Sequence, residues 1–214
     1  MKRTPGVILL VNFGCYHMRT MKRTIFIIGI VAIVVLVRGQ EDIAARLSDA
    51  ALLLISQEVV YDPAYYSIGY PNGDVPAGRG VCSDVIIRTY KQLGIDLQKE
   101  VHEDMADHFD QYPDIWGLSR PDPNIDHRRV PNLMKFFQRK GREKEITNNP
   151  SDYLPGDIVC WNLGGAVTHI GMIVDRRSDD GKRYKVVHNI GAGQVLEDIL
   201  FDFPIIGHYI YKND

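Results

Sequence analysis

Apolar positions follow two rhythms along this chain. In residues 41–60, Ile43, Leu47, Ala50, Leu54 and Ile55 recur at helical spacing and predict an amphipathic first helix. The next stretch, YDPAYYSIGYPNGDVPAGRG, is rich in Tyr, Pro and Gly and reads as a long loop. Long ordered loops in compact domains often line sites. Val81 to Leu93 predicts a second helix, closed by Gly94. Residues 97–110 predict a third, and a connector rich in Pro, Asp and Arg covers 112–130. Pro131 then opens a fourth helix, PNLMKFFQRK, ended by Gly141.

From Pro155 the period shortens. DIVCWN, THIGMIVD, YKVVHN and IIGHYIY are β-branched, aromatic and separated by Gly or Asp turns. RRSDDGKR, residues 176–183, supplies a polar hairpin turn with Asp-Gly. Helices first and an antiparallel meander afterwards define an α+β domain. A length of 214 residues suits one such domain, over 41–214, plus an extension.

The first forty residues stand apart. Met21-Lys22-Arg23-Thr24 is basic, Ile25 to Val37 is an apolar run of 13 residues, and Arg38 to Asp42 turns polar. That order predicts a signal peptide over 21–39, cleaved before Gln40, with an uncleaved N-terminal anchor as the alternative. MKRT at Met1 recurs at Met21, so residues 1–20, with Cys15, are expected to be an upstream extension and translation to begin at Met18 or Met21. The chain is expected to be exported, to the periplasm or cell envelope.

Charge narrows the partners. Residues 1–39 hold six basic residues and no acidic one, so removing them from 25 leaves 19 basic against 27 acidic, a net of −8. An acidic domain is a poor fit to nucleic acid or to anionic membrane surfaces. Membrane contact is expected only through the N-terminal segment, if it stays attached.

Cys82 follows Gly78-Arg79-Gly80 at a predicted helix start. Unpaired N–H groups and the helix dipole there favour a thiolate. The alternative is a buried core thiol, and in an exported chain a Cys82–Cys160 disulfide is a third reading. A thiolate nucleophile needs a base, and the base needs a group to orient it. His169 begins THIGMIVD and His188 ends YKVVHN. Antiparallel neighbours set the start of one strand beside the end of the next, so the two histidines are expected to meet.

Other constellations carry two readings each. His102 and His108, six residues apart, diverge around a helix, so HEDMADH reads as a solvated acidic face more readily than as a metal site. Asp104 there is a candidate for a salt bridge to a connector arginine. Arg128 or Arg129 either clamps a substrate carboxylate or pins the connector. Tyr65, Tyr66 and Tyr70 either wall a cleft or pack their loop, with Tyr70 the favoured cleft residue.

The pattern GVCSDVIIRTY, PGDIVCW, THIGMIVD and YKVVHN resembles the NlpC-type, papain-like cysteine peptidases of cell walls. VHEDM, NIDHRRVPNL and HNIGAG extend the resemblance, over residues 58–211, to the bacterial family of unknown function numbered 1287. It implies helices packed on a half-barrel sheet, Cys82 as nucleophile, His169 as general base and acid, and His188 as its orienting residue. It implies amide hydrolysis through a thioester acyl-enzyme, with peptidoglycan stem peptides as substrate and no cofactor. The Cys82 N–H would be one oxyanion donor. An acyltransferase using the same thiol, or an inert envelope-binding module of the same fold, is the alternative. The pattern departs at Val81, where such enzymes usually carry Asp, and at Ser83-Asp84, where they carry Ser-Gly. Asp84, Asp104 or Asp126 is expected to replace the missing acid, and Tyr70, Ser83, Asp84, Asp126 and Arg128 are the expected substrate-binding set.

Overall fold

The structure is a computed structural model that describes residues 43–211. The expected extension at 1–20, the segment at 21–39 and Cys15 lie outside the described residues. The first helix, α1, covers 43–54 and buries Leu47, Ala50, Ala51 and Leu54. It is shorter than its periodicity suggested, because the chain turns at 55–57 and enters a two-residue strand, β1 (Val60–Tyr61). That strand pairs in parallel with β2 (Arg79–Gly80), which leads directly into α2 (Cys82–Gln92).

Val81 has extended backbone and caps α2, and its N–H donates to Asp84 Oδ2 at 2.7 Å. This is one half of a capping box: the acid three residues into the helix satisfies an orphan donor. Helix α3 (Leu97–Asp107) is capped by Asp96, whose carboxylate accepts from the Lys99 N–H. Helix α4 (Val130–Lys140) has Arg129 at its cap and ends at Gly141. Gly141 is not there for a left-handed turn. A Cβ on it would stand 2.6 Å from the Ile210 carbonyl oxygen, so glycine admits the close approach of the last strand.

The sheet contains β3 (Arg142–Glu143), β4 (Ile158–Gly164), β5 (Val167–Arg177), β6 (Tyr184–His188), β7 (Val195–Glu197) and β8 (Ile205–Ile210). Its spatial order is β3-β8-β4-β5-β6-β7, and every neighbouring pair is antiparallel. Alternation splits the strands between two cores. Ile158, Cys160, Ile170, Met172, Val174 and Val187 pack with the helices, against Leu133, Phe136 and Phe137 among others. Val159, Trp161, Ile173 and Val186 face the other way and pack with Tyr153 and Leu200. The domain is thus α+β, helices before sheet, as the two rhythms required. No helix among the described residues is long and apolar enough to cross a membrane.

Candidate active site

Cys82 is the first residue of α2 and shares a core with Ile170 of β5, whose backbone N–H pulls the thiol downward. Cys82 thus packs in the cluster that holds Ile170, the residue after His169. Cys82 is 7% exposed and His169 2%, so both residues are largely buried. Both Cys82 and Cys160 are free thiols.

His169 pairs with Trp161 across β4 and β5, and their rings lie 5.7 Å apart. Its Nε2 meets His188 Nδ1 at 3.1 Å, with the rings nearly perpendicular at 86°. The sheet register explains the encounter. Met172 opposes Val187, so extending that ladder sets His188 across from Gly171, on the same face as His169. Gly171 leaves the room: a Cβ there would lie 3.2 Å from His188 Cβ and 2.6 Å from Val186 Cγ1. On its other side His188 Nε2 contacts Glu197 Oε2 at 3.0 Å.

The electrostatics differ from the expectation of a thiolate made by a helix start. Burial pushes the Cys82 thiol up to about 11, and the Asp84 charge adds to the rise. The N–H groups of Ile170, Ser83 and Cys82 itself pull downward and lose, because desolvation of a sulfur anion outweighs three weak bonds. Burial, then the repulsion from His188, hold His169 down at about 3. The resting site holds a neutral thiol and a neutral imidazole. Proton transfer on substrate binding, not a standing ion pair, is what this arrangement can support.

The expected substrate-binding residues fall into different places. Asp84 and Arg128 form a buried two-pronged pair, Nε to Oδ1 and Nη2 to Oδ2, both at 2.9 Å. Arg128 also donates to the carbonyls of Ala64 and Asp62, and Ser83 Oγ donates to the Arg128 carbonyl at 2.8 Å. These three side chains tie the loop and the connector to the start of α2 and are buried. Asp126 is buried too, accepting from the Asp122 N–H and from Arg129 Nη1. Tyr70 is displaced from the cysteine. Its ring packs edge-on to His102, and the neighbouring Asn72 and Gly73 carbonyls accept from Lys91 at the far end of α2. Nine residues of helix separate Lys91 from Cys82, roughly 13 Å of rise. Tyr65 and Tyr66 hydrogen-bond Asp122 and Asp62 and pack the loop.

Asp104 is bound by Arg139 and Lys140 of α4 and by the Tyr112 hydroxyl, so its salt bridges come from α4 and not from a connector arginine. Among the described residues no group of three or more His, Cys, Asp or Glu is placed to hold a metal ion.

Three residues at the site escaped the sequence reading. Tyr61 pairs with Gly80 in the β1–β2 ladder, and its phenol is pushed up by burial and then by Cys82 and Asp84. Asn189 ties the loop after β6 to the Gly80 carbonyl at 3.3 Å. Glu197 lies on β7, a strand of only three residues.

A family model described as Domain of unknown function (DUF1287) matches residues 48–211. The chain belongs to that family. The match takes in most of α1 as well as the expected 58–211. Within the DUF1287 range lie Cys82, His169, His188 and Glu197 alike. The uncharacterized protein YijF of Escherichia coli K12 is 50% identical over 175 residues, covering 82% of this chain and 85% of YijF. Among solved structures, NlpC1 from Trichomonas vaginalis superposes with a TM-score of 0.44 at 16% identity. That superposition covers 78% of this chain and 45% of NlpC1, so the chain spans less than half of NlpC1.

Proposed function

We propose that this DUF1287 chain is an exported cysteine hydrolase that cleaves amide bonds in peptidoglycan stem peptides. The carrying observation is the His169–His188 pair at 3.1 Å, on the strand whose Ile170, next after His169, shares a core with Cys82. Cys82 attacks the amide carbonyl as its proton passes to His169. His169 returns a proton to the leaving amine, and water then hydrolyses the thioester. The Cys82 N–H, at the start of α2, is the proposed oxyanion donor. Export rests on the basic-apolar-polar order of residues 21–39.

The buried site and the raised thiol favour one second reading, an inert envelope-binding module. Mixing the protein with purified stem peptides, quenching in acid and weighing the intact chain separates them. The hydrolase gives an acyl adduct that maps to Cys82 and is absent from Cys82→Ser. Bound peptide without any adduct, and with no cleavage, supports the module.

A further inference from the structure

The geometry points to Glu197 as a positioning residue that fixes the tautomers of both histidines and leaves the Nδ1 lone pair of His169 for the Cys82 proton. This inference rests on the hydrolase reading and assigns it a fourth member. The fold builds the row across three strands. Val186 opposes Glu197 and His188 opposes Val195, so alternation puts Glu197 and His188 on one sheet face. His169 lies on that same face of β5.

The hydrogen bonds admit one proton arrangement when the rings are neutral. A carboxylate only accepts, so the 3.0 Å contact with Glu197 requires a hydrogen on His188 Nε2. A neutral imidazole has one N–H, so His188 Nδ1 carries a lone pair. The 3.1 Å contact then requires His169 to donate from Nε2. His169 Nδ1 is left bare, and among the described residues it makes no hydrogen bond of its own. Burial favours the neutral form of both rings, although at His188 Glu197 pulls the other way.

During attack the S–H bond of Cys82 breaks as an N–H bond forms on His169 Nδ1. The sulfur electron pair goes to the carbonyl carbon. The imidazolium keeps its Nε2–H on His188, and Glu197 takes up no proton. Without the carboxylate the row can run in reverse, from His188 Nδ1–H to His169 Nε2. His169 then carries its hydrogen on Nδ1 and cannot receive the thiol proton.

Imidazole nitrogen NMR on the full 15N-labelled chain at neutral pH reads this without substrate. The expected wild-type spectrum has Nε2–H on both His169 and His188. Glu197→Gln keeps the shape and can donate or accept, so the expected result is loss of the single tautomer, with Nδ1–H appearing at His169. Glu197→Asp, which keeps the carboxylate, is expected to hold Nε2–H on His188. Nδ1–H on either wild-type ring, or a Glu197→Gln spectrum identical to wild type, overturns the inference whatever the activity. The expected spectra from a protein that forms no acyl adduct overturn the hydrolase reading and leave the tautomer assignment standing.

Discussion

Arg128 grips Asp84 with two parallel hydrogen bonds of 2.9 Å, across 44 residues of sequence and with both side chains nearly fully buried. The pair fixes the start of α2, because Asp84 also accepts from the Val81 N–H one residue before Cys82. It positions the thiol and contacts no open surface.

Arg128→Met strands the Asp84 charge in the interior. Breaking one side of a buried pair costs about 3–5 kcal/mol. Urea unfolding is expected to show a loss of that size. A variant as stable as wild type would return Arg128 to the role of ligand clamp.

Gly171 is the gap through which the two histidine rings meet. Gly171→Ala puts a methyl 2.6 Å from Val186 Cγ1 and 3.2 Å from His188 Cβ. Overpacking of this kind costs about 1–3 kcal/mol. The expected variant folds, melts lower, and loses acyl-adduct formation more than tenfold, since His188 must shift. Unchanged adduct formation with a lowered melting temperature would detach His188 from the chemistry.

Acid stability is expected to depend on Asp104. Burial alone would raise its carboxyl, but the bonds from Arg139, Tyr112 and Lys140 overcome burial and hold it well below the usual carboxylate range. The folded state therefore binds that proton less tightly than the unfolded chain. The stabilisation is complete above the unfolded value of about 4 and is lost as pH falls through the folded value. Asp104→Asn is expected to be less stable at pH 7 and to lose less than wild type on going to pH 2. Parallel stability curves for the two proteins would contradict this.

Thiol reactivity tests the neutral resting site. With Cys82 raised to about 11, alkylation by iodoacetamide is expected to be slow at pH 7. It should climb by about tenfold per pH unit until near that value. Rapid labelling of Cys82 at pH 6 would instead mean a standing thiolate.

Much of the fold was legible because its signals are local. Helical spacing marked α2 and α4, and short β-branched runs marked β4, β5, β6 and β8. Antiparallel succession was enough to expect His169 beside His188. What stayed hidden depends on distance or on totals. Glu197 sits on a strand of three residues, too short for a period, although Val195 and Glu197 flanking Leu196 do alternate. Arg128 finds Asp84 only through tertiary packing, and nothing in its own neighbourhood chooses between pin and clamp. Tyr70 lies where Lys91 and Gln98 anchor its loop. The Cys82 thiol rises because burial is a property of the whole domain, and a helix start read locally points the other way.

The proposed hydrolase depends on Cys82 cleaving amide bonds of cell-wall peptide. Its most direct test is digestion of purified peptidoglycan, with released muropeptides separated and weighed. Wild type is expected to release peptide fragments cut at one type of amide bond, while folded Cys82→Ala and His169→Ala release none above the blank. Equal release by wild type and Cys82→Ala, or release by neither, would contradict the account.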